Sequence, residues 1–403
     1  MNLNEPRNFW LNVSTDNKMP HADNRYTKLR WLLTITGLFF YVVDIWMDVW
    51  LAFKYFQGKY YVWAGLTLGF VLVGLLVTQI FSYAWYRDDM NDVLINSERN
   101  AISGISKGEL AVIHLFGVGI FTRYYYLLKK GFNVVWKSTN SDTVEERKDV
   151  HHNLFCHATD LSMLKLFEAF LESVPQLLLQ VYIALAHDES SVLRYLSMAF
   201  SFFNIAWALV DYRRCLRRSL PHIREMPSGL PTVIYLLYKL CTITSHILSY
   251  SLLLMLSSYS MIALTILWLL GTAWTHLLKT KFCISRSLEL LYRAVIGFIL
   301  TFTFFNVKGQ DTKVAMIVYY FFYFLINITA PTLYILLKPE LKTTTFFLTV
   351  SSIIFGGSVL GLVSLVLYYL FLHPRGKWRE ADEVDGVGKE AEITGRMRNF
   401  LQP

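Results

Sequence analysis

Two pairs of carboxylates are the residues in this chain whose type and spacing could most readily do chemistry. Asp44 and Asp48 lie four residues apart inside one apolar stretch, and Glu168 and Glu172 repeat that spacing inside another. Residues four apart share one face of an α-helix. Each carboxylate in a bilayer is costly unless it is paired, protonated or hydrated. The four side chains on two helices therefore predict a shared polar groove.

A predicted kink and further polar side chains follow the second pair. Pro175 removes a backbone hydrogen bond just after Glu172, so we expect the helix to kink there. Gln176 and Gln180 come on the next turns and, with Ser173, could line a hydrated seam. Two interpretations are open at this point. The polar residues form a path for lipid headgroups or ions, or they form a buried salt-bridge network that only fixes the positions of helices. The basic residues that could balance the carboxylates are Lys165, Arg123, Arg213 and Arg214.

The elements that must carry these residues are apolar helices. Of the 403 residues, 54% are hydrophobic and 17% are charged, whereas soluble domains carry about a quarter charged residues. Stretches long enough or nearly long enough to cross a bilayer cover 29–53, 61–86, 110–128, 161–186, 193–212, 232–256, 260–278, 287–305, 314–337 and 346–372. This composition excludes a soluble enzyme, a secreted disulfide-rich domain and a disordered protein.

No cofactor, metal ion or nucleic acid is expected as a partner. The four cysteines show no metal or redox spacing, and no P-loop signature is present to bind a nucleotide. The net charge of +8 is explained by Lys and Arg on cytoplasmic loops. Because the sequence has no motif for ATP hydrolysis, we expect any transport to be passive.

Loop charges predict which of the ten stretches cross the membrane. Basic residues cluster before the first stretch, in the loop that follows the fifth stretch, and after the tenth stretch, so all three segments should be cytoplasmic. An even number of crossings must then separate them. The stretches 110–128 and 287–305 have the shortest uninterrupted apolar runs, which is typical of re-entrant helices. The predicted fold is an all-α polytopic membrane protein with eight transmembrane helices, two re-entrant half-helices and both termini in the cytosol.

The pattern of long and short stretches occurs twice, which predicts two membrane repeats. The predicted segments are a cytosolic N-terminus over 1–28, a first repeat over 29–212, a cytosolic linker over 213–231, a second repeat over 232–372 and a cytosolic tail over 373–403.

The tail carries a motif that resembles a protease cleavage site. The sequence Asp382-Glu383-Val384-Asp385-Gly386 is similar to the preferred site of executioner caspases, which would cut after Asp385. A polar terminus is a common place for proteolysis. The peptide beyond the cut ends in a basic and apolar group made of Arg396, Arg398, Phe400 and Leu401.

Taken together, these features resemble the Xk-related family of phospholipid scramblases, and in particular its caspase-activated branch. The resemblance covers nearly the whole chain. The segments that carry it are Asp44–Trp50, Phe81–Trp85, Thr159–Glu168, Glu172–Leu177 and Phe304–Gln310.

The resemblance implies a function and further roles. Activated members move phosphatidylserine to the outer leaflet of the plasma membrane during apoptosis without ATP, and they have eight spans with two re-entrant helices. Asp44, Asp48, Glu168 and Glu172 match the suspected lipid path of the family, and Trp63 matches a position proposed to gate it. Some relatives need a single-span glycoprotein chaperone, which is therefore a candidate partner besides membrane phospholipids and executioner caspases.

The mechanism expected from these features is a hydrated polar seam closed by the tail. The headgroup follows the seam, which includes Gln176 and Arg214, while the acyl chains stay in lipid. The tethered peptide after Asp385 holds the cytosolic side closed, because tethering gives it a high effective concentration, and cleavage releases it. Two alternatives remain open. The chain could be a gated ion channel or ion-coupled transporter that uses the same carboxylates, or a structural membrane protein whose tail is an incidental caspase substrate.

Overall fold

The computed structural model describes residues 26–91, 106–136, 144–186, 192–219, 226, 229–307, 313–337 and 345–372, and throughout these ranges the regular secondary structure is helical. In the first half the helices are α1 (Lys28–Gln57), α2 (Tyr61–Asn91), α3 (Lys107–Leu115), α4 (Gly119–Trp136), α5 (Val144–Glu168), α6 (Val174–Ala186) and α7 (Val192–Ser219). In the second half they are α8 (Leu230–Leu256), α9 (Ser260–Leu277), α10 (Arg286–Phe302), α11 (Lys313–Leu337) and α12 (Thr345–Leu367).

Seven helical stretches of the described chain are long and apolar enough to cross a membrane. They are α1, α2, the combined α5–α6 stretch, α8, α9, α11 and α12. The bent pair α3–α4 could count as an eighth, and α7 is long enough but is not among the seven. The prediction of an all-helical membrane protein is confirmed at this level, with about seven or eight helices able to span.

A π-helical segment joins α5 to α6, at the position where the sequence predicts a kink. The segment covers Ala169–Ser173, and the Val174 N–H donates to the carbonyl of Ala169, five residues back. Pro175 follows directly and has no N–H to donate. The wider π-helical turn therefore lies where Pro175 must in any case interrupt the α-helical hydrogen bonds of the backbone. Such π segments are rare and are frequently found at functional sites.

The centre of the molecule is formed by the α5–α6 stretch and by α8. In their most apolar windows 78% and 61% of residues are buried, against 6% in α9. The largest core cluster joins the two halves, because Phe81 and Phe167 from the first half pack with Ile243 and Tyr292 from the second. The carboxylates of α5 and the π segment thus lie on the most enclosed helix of the first half.

The predicted stretch 110–128 is two helices that meet at an angle of 115°. Between them Gly117 has a φ of 74°, a conformation that glycine adopts without strain. The Gln79 side chain donates to the Gly117 carbonyl at 3.0 Å and accepts from the Gly119 N–H at 3.1 Å. On the same side Arg123 donates to the Ser82 hydroxyl at 2.8 Å and pairs with Asp160 at 3.4 Å. The bend is therefore secured by α2 and α5.

In the second half, α10 packs backbone to backbone on α9. A Cβ atom on Gly271 would stand 2.7 Å from the Gly297 carbonyl oxygen. The loop between the two helices is held by Glu289, whose carboxylate accepts from the Thr280 hydroxyl at 2.5 Å and from the Cys283 N–H at 2.7 Å. Arg293 donates to the Thr280 carbonyl at 2.6 Å. The charges that interrupt the predicted stretch 287–305 are thus used to hold this loop.

Candidate functional site

A small cleft lies where α1, α5, the π segment and α7 meet, and we call it the acidic cleft. Its lining combines polar and apolar side chains, which are Phe40, Tyr41, Asp44, Lys165, Glu168, Ala169, Ser173, Asn204 and Ala208. Sequence reasoning predicted that the two acidic pairs share one groove. The structure brings one member of each pair, Asp44 and Glu168, to the same cleft.

Asp44 connects α1 to the π segment. The Ser173 hydroxyl donates to the Asp44 carboxylate at 3.2 Å. Asp48 lies one turn further along the same face of α1 and is buried. The i, i+4 spacing of the two aspartates therefore places both on the side of α1 that faces the protein, as the sequence predicts.

Glu172 is turned toward α2 and lies beside a glycine. A Cβ atom on Gly74 would stand 2.8 Å from Glu172 Oε2, so the side chain lies directly on the α2 backbone. Its other oxygen, Oε1, is buried with no hydrogen-bond partner among the described residues. On the next turn the side-chain Nε2 and Oε1 atoms of Gln176 are also buried with no hydrogen-bond partner among the described residues. Buried polar atoms without protein partners are uncommon in folded proteins, and here they continue the polar row beyond the acidic cleft.

Lys165 is the cation that reaches the acidic cleft from α5. Its ammonium group lies against α1, since a Cβ atom on Gly37 would stand 2.9 Å from Nζ. Of the four basic residues proposed from the sequence, Lys165 is the one that lines the cleft. The cleft thus presents an amine and two carboxylates, which are complementary in charge to the phosphate and the ammonium of a zwitterionic headgroup respectively.

A buried ion pair lies about one turn further along α7 than Ala208 of the cleft. Arg30 Nη1 donates to Asp211 Oδ1 at 2.5 Å, and Arg30 Nη2 lies 2.6 Å from the sulfur of Cys215. The pair joins the first turn of α1 to α7. Arg214, predicted as part of the lipid path, lies within electrostatic range of Arg30 and Asp211. Sequence reasoning counted Arg30 only as a sign of topology, because its partner lies 181 residues away.

Two of the counter-charges considered from the sequence lie elsewhere. Arg123 is held by Ser82 and Asp160 at the α3–α4 bend. Arg213 donates to the hydroxyl groups of Tyr235 and Tyr369. Neither lines the acidic cleft, because each points from its helix toward a different neighbour.

Trp63, the predicted gate, lies near the start of α2. Its ring stacks on Tyr60 at a centroid distance of 4.4 Å and meets the edge of Tyr55 at 5.7 Å. It packs in a small cluster with Ala64 of α2 and Ile183 of α6. Trp63 contacts Tyr55 near the C-terminal end of α1, whereas Arg30 lies in the first turn of α1, so the tryptophan and the Arg30–Asp211 pair are near opposite ends of that helix.

Comparison with known protein families is consistent with this arrangement. The family model described as XK-related protein matches residues 32–374. The chain belongs to the XK-related family. It is 59% identical to XK-related protein 9 of Tetraodon nigroviridis over 379 residues, which cover 94% of this chain and 99% of that relative. It is 30% identical to XK-related protein 8 of Pan troglodytes over 358 residues, covering 88% and 87% of the two chains.

This XK-related chain also has a buried cation in its second half that sequence reasoning missed. Lys239 of α8 donates to the Thr303 hydroxyl at 3.1 Å and to the Phe304 carbonyl at 2.8 Å. These atoms follow the last turn of α10, where a positive charge favourably meets the helix dipole. The sequence feature that could have revealed this site is a lysine inside the apolar stretch 232–256.

A separate polar network in the second half joins α8, α11 and α12. His246 of α8 is hydrogen bonded to the side chains of Asn327 and Tyr250, at 3.3 and 2.7 Å. Asn327 donates in turn to the Ser358 hydroxyl at 2.9 Å. Because these side chains satisfy one another, the arrangement fits a structural role in holding the helices of the second half.

The tail residues predicted from the sequence lie outside the residues that the structure describes. They are the caspase motif Asp382, Glu383, Val384, Asp385 and Gly386, and the inhibitory group Arg396, Arg398, Phe400 and Leu401. Their roles stay predictions.

Proposed function

We propose that this chain is an ATP-independent phospholipid scramblase of the plasma membrane, which exposes phosphatidylserine during apoptosis after executioner caspases cut behind Asp385. Membership of the XK-related family supports the proposal, because the sequence resemblance to that family implies this activity. The observation that carries it is the row of ionisable and amide side chains along α1, α5, the π segment and α6.

The row of ionisable and amide side chains is better suited to contact a lipid headgroup than to form a stable protein core. Asp44, Lys165 and Glu168 line an acidic cleft, and Glu172 and Gln176 present buried atoms with no partner among the described residues. A purely structural network would be expected to satisfy its own polar atoms. Charged groups inside spans are by default candidates for substrate pathways. The headgroup would pass along this row while its acyl chains remain in lipid.

The proposed topology has eight spans, two re-entrant elements and both termini in the cytosol. The far end of α4 returns to the beginning of α1, because Trp136 packs on Trp31 and lies over the ammonium of Lys28, 4.4 Å from the ring centroid. This return is what a re-entrant α3–α4 pair would make. We assign α10 as the second re-entrant helix, because Lys239, well inside α8, binds the residues that follow the α10 C-terminus. The proposed repeats cover 29–212 and 232–372 and are joined by the linker 213–231, as predicted from the sequence, with α7 running on through the first residues of that linker to Ser219.

The tail over 373–403 is the proposed inhibitor. Cleavage after Asp385 would turn docking of the Arg396–Leu401 peptide from an intramolecular into a bimolecular event, which lowers its occupancy. Executioner caspases are the proposed proteolytic partners. A single-span glycoprotein chaperone is a further candidate partner that the resemblance implies.

The direct experiment compares uncut and caspase-treated protein in liposomes with fluorescent phospholipids. We expect lipid exchange only in the cut sample, and an Asp385→Ala variant should stay inactive after the same treatment. If cut, folded protein leaves the lipids in their leaflet, the proposal is wrong. Ion flux without lipid exchange would instead favour a gated ion channel or an ion-coupled transporter.

A second experiment separates a lipid path from a scaffold. Glu168→Gln and Glu172→Gln should slow lipid exchange by cut protein at least several-fold while the purified protein stays folded. Glu109→Gln is the matched control, because Glu109 is exposed in the capping box of α3 and glutamine can replace glutamate there. Loss of the folded protein in both variants would favour the salt-bridge scaffold.

A further inference from the structure

Arg213, near the C-terminal end of α7, is held by three tyrosines that we call the tyrosine cage, Tyr235, Tyr368 and Tyr369. Its Nη1 donates to the hydroxyl of Tyr235 at 3.2 Å and to that of Tyr369 at 3.3 Å. The guanidinium lies 4.7 Å from the ring centroid of Tyr235, 5.7 Å from that of Tyr368 and 5.9 Å from that of Tyr369. These are distances at which cation–π attraction operates.

The cage differs from the arginine sites of the described chain that include a carboxylate. Arg30, Arg123 and Arg293 each pair with a carboxylate, whereas no carboxylate within the described ranges lies at salt-bridge distance from Arg213. Arg213 Nε is buried and has no partner there. Hydrogen bonds from a guanidinium to neutral hydroxyl groups are weaker than hydrogen bonds to a carboxylate. The cage can therefore release its arginine more readily than the ion pairs can.

The cage lies at the junction between the last helix and the tail. Tyr368 and Tyr369 begin the π-helical segment Tyr368–Leu372 that ends the membrane region, and residues 373–403 follow directly. Tyr368 is fully buried and contacts Tyr235 of α8 at a centroid distance of 4.9 Å. Arg213 thus ties the point where the tail begins to α7 and α8.

The opposite side of α7 forms a wall of the acidic cleft. Asn204 and Ala208 line the cleft, and Asp211 on the same stripe pairs with Arg30. Successive α-helical residues are about 100° apart, so Asp211 and Arg213 point in nearly opposite directions, about 200° apart. Any small rotation or sliding of α7 that frees Arg213 must also move Asp211 and the cleft wall.

We propose that Arg213 is a positioning residue that couples the end of α12 to the acidic cleft through α7. While the tyrosine cage holds Arg213, α7 keeps Asp211 on Arg30 and the cleft stays closed to headgroups. When the cage loosens, α7 shifts and the cleft opens. The coupling rests on the proposed scramblase function and extends it, because it gives a route by which a change at the tail can reach the lipid path.

The test uses the full-length, uncut chain, in which the cage should hold the cleft closed. Arg213→Gln should raise lipid exchange by uncut protein in liposomes at least several-fold toward the rate of cut wild type. Tyr369→Phe removes one hydroxyl bond to Arg213 and should give a smaller rise. Tyr319→Phe is the matched control, because its buried hydroxyl has no partner among the described residues, and it should behave as wild type.

A second measurement does not depend on lipid exchange. Cys215 is buried on α7, on the Asp211 side and beside Arg30. Its labelling by a maleimide, read by peptide mapping, should speed up at least several-fold in Arg213→Gln and less in Tyr369→Phe. Cys283, buried next to α10, should label at the wild-type rate in both variants and serves as the internal control.

The outcomes separate this coupling from the proposed function. If cut wild type exchanges lipid but both uncut variants match uncut wild type in exchange and in Cys215 labelling, the coupling is wrong and the scramblase function stands. If cut wild type exchanges no lipid, the proposed function fails, and faster labelling confined to Cys215 still supports the movement of α7. Equal gains at Cys215 and Cys283 would indicate general loosening and would overturn the coupling.

Discussion

Glu172 of the π segment lies directly against Gly74 of α2. A Cβ atom on Gly74 would stand 2.8 Å from Glu172 Oε2 and 2.9 Å from Glu172 Cβ, closer than real Cβ atoms approach their neighbours. Glycine at this position therefore allows α2 to pack on the helix that carries the acidic row. Any larger residue must displace either the carboxylate or the helix.

Replacing Gly74 with alanine should disturb the acidic row. Because the contact involves Cβ of Glu172 as well as the end of its side chain, the variant should lose about 1–3 kcal/mol of stability from overpacking. We also expect several-fold slower lipid exchange by cut protein, since Glu172 must move from its place beside Gln176. The measurements are the midpoint of thermal unfolding in detergent and lipid exchange in liposomes.

Gly69→Ala is the matched control for this prediction. Gly69 lies on the same helix, and a Cβ atom there would meet nothing within 4 Å. Both substitutions gain the same helix propensity, up to about 1 kcal/mol, so the difference between them isolates the contact with Glu172. Equal behaviour of the two variants would contradict the close packing of α2 on the π segment.

The Arg30–Asp211 pair should be a major contributor to stability at its end of α1. Both residues are largely buried, and the two charges approach to 2.5 Å. Removing one partner of a buried pair strands the other charge, which costs about 3–5 kcal/mol. We therefore expect Arg30→Gln and Asp211→Asn each to lower the thermal unfolding midpoint strongly.

The double variant Arg30→Met with Asp211→Leu supplies the control. It leaves no stranded charge, so it should recover a large part of the stability that either single variant loses. Single variants that lose less than about 1 kcal/mol would show that the pair contributes no more than an exposed ion pair does.

The acidic residues could be predicted from sequence because two local rules apply to them. Spacing by four residues fixes a common helix face, and apolar flanks fix a position within the membrane. Their ionic partners could not be predicted, because partners depend on how distant helices turn toward each other. Arg30 pairs with Asp211, Arg123 pairs with Asp160, and Arg213 is hydrogen bonded to tyrosines. No local sequence pattern distinguishes these three arginines.

The ends of a helix could be predicted from the sequence where its buried part is also its apolar part. They were missed where a helix continues into polar residues. The predicted stretch 161–186 belongs to a helical segment that already begins at Val144, with the first part forming most of α5. The polar residues of this extension include His151, which accepts a hydrogen bond from the Tyr26 N–H, and the neighbouring Phe155 packs on the Tyr26 ring. These contacts come from tertiary packing, so a hydropathy profile does not detect them.

The position of Trp63 leads to a prediction about the other end of α1. Its ring is stacked on Tyr60 and packed against α6, away from the Arg30–Asp211 pair. If it narrows the lipid path as the family resemblance implies, Trp63→Ala should raise lipid exchange by cut protein several-fold. Trp274→Ala is the control, because Trp274 is an exposed tryptophan of α9. Unchanged exchange with a lowered unfolding midpoint would assign Trp63 a packing role alone.

The α3–α4 bend depends on Gly119, the first residue of α4. A Cβ atom there would overlap both the His114 ring and Gln79 Oε1, the atom that accepts from the Gly119 N–H. His114 cannot move away easily, because its ring is bonded to the Ser82 hydroxyl at 3.0 Å and to the Leu110 carbonyl at 2.8 Å. Gly119→Ala should therefore break the Gln79 bridge across the bend.

We expect Gly119→Ala to lose about 1–3 kcal/mol or more from overpacking, together with the hydrogen bonds of the displaced Gln79. Gly108→Ala in α3 is the control, because a Cβ atom on Gly108 would meet only the Ser106 hydroxyl, at 3.9 Å. Thermal unfolding of both variants in detergent measures the difference. Because Gln79 and Ser82 lie on the helix that also carries Gly74, loss of the bend should slow lipid exchange by cut protein as well. Wild-type stability of Gly119→Ala would show that α2 does not secure the bend in the way the contacts indicate.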